Sequence, residues 1–263
     1  MTEAVPQSIE VGDGATRRRI AILRREPGGS GKPGFFWLSG FKSDMASTKA
    51  TALDAWAETH GYGCTRFDYS GHGISEGRFE EGTIGRWLDE AEAVFMSATH
   101  EPQVVIGSSM GGYIALLLLR RLMEARPEAE RRLKALLLIA PAWDMTEELM
   151  WKAFPPDARK ALMTDGVFLR PSLYGDPYPI TRALIEDGRS HLLAARPFDP
   201  GRPVHIVQGL MDPDVPWQHA EALLGLLSGG WAEMTKVPDG EHRLSRPQDL
   251  ALMFDVLERL AKS

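Results

Sequence analysis

The chain has 263 residues, a net charge of −6 and 43% apolar residues, enough to fill the core of one large domain and leave room for an inserted subdomain. Charges of both signs are interspersed, which argues against a nucleic-acid-binding face and a polybasic membrane patch. The single cysteine, Cys64, excludes an internal disulfide framework and suits a reducing compartment. The polar, acidic start resembles no signal peptide, and no apolar run approaches about 18 residues, so we expect a cytoplasmic protein without a membrane span.

Short apolar runs alternate with helical patterns through the first half of the chain, which predicts an α/β fold with a mostly parallel sheet covered by helices. In chain order the predicted elements are an antiparallel hairpin at 8–25, a strand at 35–40, a helix at 47–59, a strand at 64–70, a helix at 83–99, a strand from 104 that leads into a helix ending near 123, and a strand at 135–140.

Residues 141–202 interrupt this alternation with short helical pieces and many prolines, and we predict that they form a helical cap on a core made of 1–140 and 203–263. The cap is rich in large apolar residues, among them Trp143, Trp151 and Phe154. These side chains form either the core of a small subdomain or a wall that binds an acyl group. The alternation then resumes with a strand at 204–209, a helix at 218–227, a strand at 232–238 and a helix at 247–262.

The run Gly107-Ser108-Ser109-Met110-Gly111 fits the pattern G-x-S-x-G in one register, with Ser109 at its centre. An apolar strand precedes it and an apolar helix follows it, as a sharp strand-to-helix turn requires. Such a turn is strained and needs glycine on both sides, because a side chain there would collide with the neighbouring strand or helix. We therefore predict that Ser109 is a nucleophile and that Ser108 only fills the turn.

A serine hydroxyl needs a general base and an acid that orients it, and for this kind of turn both follow the serine in the chain. His242 lies in the loop after the last strand, whereas His205 falls inside a strand and His219 inside a helix. We predict that His242 is the base. The preceding strand is followed by Asp212 and Asp214; the short distance from the end of the strand favours Asp212 as the acid, and Asp214 is typical of a turn or helix cap.

Two backbone N–H groups are predicted to bind an oxyanion. The N–H of Met110 lies at the start of a helix, where donors are unpaired and the helix dipole is positive. The N–H of Phe41 follows Gly40, which lets the chain approach the nucleophile closely. His72 lies in a Gly-His-Gly turn ahead of the nucleophile and is interpreted as a packing residue, and Cys64 as a small core residue.

With these elements in this order the chain resembles the α/β-hydrolases over nearly its whole length. The stretches "WLSGFKSDMASTKA", "RFDYSGHGISEG", "IGSSMGGY" and "QGLMDPDVPW" followed by "GEHR" resemble the branch that contains the abhydrolase-domain palmitoyl-protein thioesterases. Enzymes of that branch are associated with S-depalmitoylation and with hydrolysis of acyl-glucuronide esters. Many relatives carry His-Gly where this chain has Ser39-Gly40, so no side-chain contribution to the oxyanion site is carried over there.

These observations predict a serine-dependent hydrolase of an acyl ester or acyl thioester that works through an acyl-enzyme and acts on a small or acyl-bearing substrate. No metal and no organic cofactor are implied. A general carboxylesterase for small esters, a serine peptidase and a non-catalytic binding protein on the same fold remain alternatives at this stage. The natural acyl group, the leaving group and the oligomeric state do not follow from the sequence.

Overall fold

The computed structural model describes residues 5–29, 31–171 and 177–263. Within these ranges eight strands form one sheet in the order β1-β2-β4-β3-β5-β6-β9-β10. Their bounds are β1 Gln7–Val11, β2 Arg18–Arg25, β3 Gly34–Leu38, β4 Gly63–Phe67, β5 Gln103–Ser108, β6 Leu133–Ile139, β9 Val204–Gly209 and β10 Ala232–Val237. Strand β1 pairs antiparallel with β2, and β2 with β4, while every later pairing in the sheet is parallel. The predicted mostly parallel sheet and the N-terminal hairpin are confirmed.

Helices cover both faces of the sheet. The helices outside the segment between β6 and β9 are α1 Thr48–His60, α2 Ile84–Ala98, α3 Met110–Ala125, α4 Pro127–Glu130, α7 Trp217–Leu226 and α8 Pro247–Lys262. Strand β3 is buried on every residue and shows how the two faces are filled. Its alternate side chains Phe35 and Trp37 pack in the core that holds the buried residues of α1 and α8, while Phe36 and Leu38 pack in the core that holds those of α2 and α3.

The segment between β6 and β9 contains more than the short helices expected of it. Along it lie a π-helical turn at Thr146–Trp151, α5 at Pro156–Asp165, a two-stranded antiparallel hairpin of β7 (Val167–Arg170) and β8 (Tyr178–Thr181), and α6 at Arg182–Gly188. The hairpin was not predicted, because each of its strands has only four residues and is too short to show a clear alternation. No helix in the described part of the chain is both long enough and apolar enough to span a bilayer.

The parallel arrangement brings several loops to one edge of the sheet. The carboxyl ends of parallel strands meet at the same edge, and ligands of open α/β sheets bind there. In this chain the segments that follow β3, β5, β9 and β10 begin at that edge. They contain Phe41, Ser109, Asp212 and His242, so the topology alone gathers the predicted site residues from distant parts of the sequence.

The crowding around Gly111 yields a stability prediction with a matched control. A Cβ at Gly111 would lie 2.0 Å from the Leu38 carbonyl oxygen, whereas a Cβ at Gly225, in α7, would meet nothing within 4 Å. Gly111→Ala should destabilise the fold by about 1–3 kcal/mol or more, because the strand end cannot move away cheaply. Gly225→Ala should instead stabilise it by about 0.5–1 kcal/mol, because alanine at this helical position lowers the conformational entropy of the unfolded chain.

Urea unfolding of both variants checks this prediction. A Gly111→Ala protein as stable as the wild type would show that the junction between β5 and α3 has room to relax.

Candidate active site

Ser109 occupies a strained turn between β5 and α3, with φ 55° and ψ −118°. Both flanking glycines are needed for close approach. A Cβ at Gly107 would lie 2.3 Å from the Gly111 carbonyl oxygen, and one at Gly111 would meet the Leu38 carbonyl oxygen at 2.0 Å. The Ser109 N–H donates to the Ile139 carbonyl at 2.8 Å, which ties the turn to the neighbouring strand. The steric reason inferred from the G-x-S-x-G pattern holds at both glycines.

Three predicted residues form one continuous chain of hydrogen bonds. His242 Nε2 lies 3.1 Å from Ser109 Oγ, and His242 Nδ1 lies 2.8 Å from Asp212 Oδ2. A carboxylate can only accept, so the Nδ1 position carries the proton and Nε2 is left to accept the serine hydroxyl. Asp212 is buried, and the His242 side chain is 17% exposed, so this chain of bonds runs from the protein interior to an accessible hydroxyl.

The local fold around Asp212 fixes the orientation of its carboxylate. Oδ1 accepts the backbone N–H groups of Asp214 and Val215, both at 2.9 Å, and Oδ2 also accepts the Gln208 side-chain amide at 3.3 Å. Asp214 also lies near His242 and lines the pocket. Among the described residues, carboxylate and imidazole atoms of Asp212, Asp214 and His242 come within 4.8 Å of one another, close enough to bind a metal ion. The bonds to Asp212 already satisfy its oxygens, so this cluster needs no metal to explain its geometry.

The two predicted oxyanion donors flank the nucleophile. Met110 begins α3, and Phe41 lies in a turn that packs against Ser109, since a Cβ on Gly40 would stand 3.3 Å from the Ser109 Cβ. Neither N–H donates a hydrogen bond to another residue in the described parts of the chain. The Ser43 N–H donates to the Gly40 carbonyl at 3.1 Å and closes the turn. The N–H of a planar trans peptide points away from its carbonyl, so the Phe41 N–H faces out of this turn.

The two residues set aside as packing residues are buried. His72 is 5% exposed, and burial lowers its pKa to about 4. Cys64 lies in β4 within the core, where burial raises the pKa of the thiol to about 12. A thiol that holds its proton so firmly is not a nucleophile at neutral pH. Both interpretations agree with the structure.

A cavity of about 530 Å³ opens over Ser109. The segment between β6 and β9 supplies its apolar wall, and the turn after β3, the start of α1 and the loop around His242 supply the rest. The apolar side chains of that wall are Ala142, Met145, Leu149, Met150, Pro171 and Tyr178. The sequence does not mark these residues as a cavity wall, because a methionine or leucine in an irregular segment is as typical of a core position as of a pocket.

The three residues expected to bind substrate in the cap lie outside this lining. Trp143 stacks on His219 with ring centroids 4.5 Å apart and donates from Nε1 to the His219 carbonyl at 2.7 Å. Phe154 packs edge-on against Phe168 at 5.4 Å. Trp151 lies under the guanidinium groups of two arginines, Arg159 and Arg189. Trp143 therefore joins the segment to α7, Trp151 and Phe154 pack within the segment, and other side chains face the cavity.

Sequence reasoning also missed a set of basic residues. In the described part of the lining the charged side chains are four cations, one carboxylate and the site imidazole: Lys42, Lys49, Arg170, Arg243, Asp214 and His242. The Lys49 ammonium donates to the Arg243 carbonyl, and burial, assisted by the nearby Arg243 charge, lowers the pKa of Lys49 to about 8. The stretch "STKA" does not indicate this position for Lys49, because a lysine early in a helix is ordinarily solvated.

A serine at a strained strand-to-helix turn, bonded to a histidine and an aspartate above a mostly parallel sheet, defines the class of the α/β-hydrolases. Comparison with known proteins specifies the family. A family model described as Hydrolase_4, serine aminopeptidase S33, matches residues 36–181, and the chain belongs to that family. It falls in the branch of the palmitoyl-protein thioesterases, so the resemblance noted in the sequence is confirmed.

Individual relatives support this placement. The chain is 30% identical to the palmitoyl-protein thioesterase ABHD10, mitochondrial, of Pongo abelii over 230 residues, which are 87% of this chain and 72% of the relative. A crystal structure from Agrobacterium vitis S4 matches with a TM-score of 0.95 and 43% identity over 99% of this chain and all of the other. The α/β-hydrolase domain-containing protein 10 from mouse matches with a TM-score of 0.83 and 26% identity over 98% of each chain.

Proposed function

We propose that this protein is a serine hydrolase that cleaves an acyl ester or acyl thioester through an acyl-enzyme. The observation that carries the proposal is the unbroken chain of hydrogen bonds from Ser109 Oγ through His242 to Asp212. A hydroxyl in this position is activated by the imidazole beside it, and the buried carboxylate stabilises the imidazolium that forms. Membership of a hydrolase family supports the same reaction class.

The reaction has two stages: Ser109 is acylated in the first and deacylated in the second. Ser109 Oγ attacks the substrate carbonyl while its proton passes to His242 Nε2, and a tetrahedral oxyanion forms. The C–O or C–S bond then breaks, His242 returns the proton to the leaving oxygen or sulfur, and an acyl-serine remains. Water then gives a proton to His242 Nε2 as it attacks the acyl-serine carbonyl, and a second tetrahedral oxyanion forms. The bond between the carbonyl carbon and Ser109 Oγ breaks, His242 returns the proton to Oγ, and the acid is released. Asp212 holds the Nδ1–H of the imidazole throughout.

The N–H groups of Phe41 and Met110 stabilise the oxyanion. Donors that are already oriented and unpaired need no reorganisation when charge develops, and the loss of one such donor typically costs about 10²–10³ in kcat. Met110 N–H benefits further from the positive end of the α3 dipole.

The lining of the cavity favours an ester or thioester over a peptide substrate. An aminopeptidase must bind a free α-ammonium group, which calls for carboxylates near the nucleophile. In the described lining Asp214 is the one carboxylate and stands among four cations. The aminopeptidase in the name of the family model therefore gives weak guidance to the substrate of this chain.

The first test replaces each of the two adjacent serines. Ser109→Ala should abolish hydrolysis of an activated ester, because loss of a triad nucleophile costs on the order of 10⁶ in kcat in subtilisin. Ser108→Ala should keep most of the activity, because Ser108 is a buried residue at the end of β5 that lacks the strained turn geometry. The measurement is kcat near pH 7.5, together with labelling by a fluorophosphonate probe.

Labelling separates an enzyme from a binding protein on the same fold. A wild-type protein that the probe does not label, or an active Ser109→Ala variant, would contradict the proposal.

The apolar wall of the cavity is proposed to bind the acyl chain, which makes Leu149 a determinant of chain length. Leu149→Ala should change the ratio of kcat/KM for long and short acyl esters by about tenfold or more, since one methylene in an apolar pocket is worth roughly 1–3 kcal/mol. Trp151→Ala is the matched control, because Trp151 belongs to the same π-helical turn but does not line the cavity. Equal changes in both variants would assign the effect to the stability of the segment.

A second candidate is an ester whose leaving group carries a carboxylate, as an acyl glucuronide does. The cations around the cavity favour this candidate. Lys49→Met should lower the preference for an anionic ester over its neutral analogue by about tenfold, which corresponds to about 1.4 kcal/mol of lost attraction. The same preference should fall as the pH rises through about 8, because Lys49 loses its proton and its charge there.

Lys134→Met is the control for this comparison. The Lys134 ammonium also donates to a backbone carbonyl, that of Ala261 at 3.1 Å, but it lies outside the cavity lining. A ratio that is unchanged in Lys49→Met, or reduced equally in Lys134→Met, would remove the support for an anionic leaving group.

A further inference from the structure

The turn that carries Phe41 has a conformation that its own residues do not favour. The turn spans Gly40–Ser43, and its third residue, Lys42, has φ 55°. Residues with a side chain rarely adopt positive φ, and turns that need it at this position ordinarily have glycine or asparagine there. The hydrogen bond from Ser43 N–H to the Gly40 carbonyl closes the turn but does not fix the central peptide between Phe41 and Lys42. A contact from outside the turn must hold that peptide.

His72 makes that contact. The Lys42 N–H donates to His72 Nε2 at 3.2 Å, and His72 Nδ1 lies 3.1 Å from the Ser70 carbonyl oxygen. A carbonyl only accepts, so Nδ1 carries the proton and Nε2 keeps the lone pair that Lys42 needs. His72 can accept the Lys42 N–H only as the neutral ring in this tautomer, and burial favours the neutral ring.

The imidazole is itself held rigidly. Its ring packs edge-on against Phe79 at 5.2 Å and Trp87 at 5.3 Å, and the Phe41 ring packs on the same two aromatics at 4.9 and 5.9 Å. His72 and Phe41 therefore belong to one packed aromatic cluster.

A second buried contact fixes the far end of the segment. Asp68 accepts the Met45 N–H at 2.7 Å with one oxygen and the Ile74 N–H at 2.9 Å with the other. Ile74 follows His72 closely in the chain, so the loop with His72 and the segment after Phe41 are joined at two places.

We infer that His72 is a positioning residue for the oxyanion site, whose Nε2 lone pair holds the Phe41–Lys42 peptide so that the Phe41 N–H faces the reacting carbonyl. This inference rests on the proposed function. Without the bond the Phe41–Lys42 peptide can rotate and relieve the positive φ of Lys42, so the turn changes shape. The adjoining Gly40–Phe41 peptide then shifts and carries the Phe41 N–H away from the oxyanion, which lowers kcat more than it affects the binding of substrate. A misplacement of about 1 Å can cost as much as 10²-fold in rate.

Two amide substitutions separate the two ring nitrogens. In His72→Gln the side-chain oxygen can occupy the place of Nε2 and accept from Lys42, while the donor to Ser70 is lost. In His72→Asn the side-chain NH₂ can occupy the place of Nδ1 and donate to Ser70, while the acceptor for Lys42 is lost. His72→Asn should lose about 10- to 100-fold in kcat with KM nearly unchanged. His72→Gln should keep most of the activity at a comparable Tm.

A distant buried histidine provides the control. His205 in β9 also has both ring nitrogens engaged, by Glu233 and Thr235. His205→Asn should alter Tm without the specific loss of kcat. Equal kcat in His72→Asn and His72→Gln, or losses that follow Tm alone, would overturn the inference. An active Ser109→Ala enzyme would instead refute the proposed function.

The wild-type protein offers a test that needs no variant. Long-range ¹⁵N–¹H spectra should show His72 as the neutral ring with its proton on Nδ1 between pH 6 and 8. A proton on Nε2 in that range would exclude an acceptor for Lys42 and would refute the positioning role.

Discussion

The close approach of β3, β5 and α3 around Ser109 is the constraint on which the site depends. Ser109 holds φ 55°, a value that costs a residue with a side chain on the order of 1–3 kcal/mol, and the surrounding structure must impose it. Gly111 allows this by letting α3 touch the end of β3, since any side chain there would overlap the Leu38 carbonyl. The same contact places the turn after β3 beside the nucleophile. One steric requirement therefore sets both the exposure of the hydroxyl and the position of the proposed oxyanion donors.

Strain at the serine is matched by rigid partners around it. The Asp212 carboxylate accepts two backbone N–H groups and a side-chain amide in addition to His242, so hydrogen bonds compensate the burial of this polar group. The imidazole can then turn little, because its acid is fixed and its other nitrogen faces Ser109. Elements from three distant parts of the chain meet at distances suited to proton transfer, and the sheet supplies the rigidity that keeps them there.

Much of this arrangement could be predicted from the sequence, because it rests on local chemistry. The G-x-S-x-G register pointed to Ser109, and the short distance from the end of β9 favoured Asp212, whose carboxylate lies 2.8 Å from His242 Nδ1. The cavity wall could not be predicted in this way. Residues 141–202 have no regular period, so the sequence does not say which side chains face inward, and the largest ring systems pack elsewhere, as Trp143 does on His219 of α7. Lys49 was missed because only the tertiary fold brings its ammonium to the loop of His242.

The two histidines near the nucleophile show how burial decides the role of one residue type. His242 keeps an accessible edge and faces the Ser109 hydroxyl, the arrangement that the proposed general base needs. His72 is enclosed by aromatic rings, and with a pKa of about 4, well below the ordinary imidazole value of about 6.5, it remains an uncharged acceptor across neutral pH. A fully solvated histidine in its place would become protonated as the pH falls through about 6.5. Its Nε2 would then carry a proton and could no longer accept the Lys42 N–H. Burial thus keeps the geometry of the turn independent of the proton transfers proposed for His242.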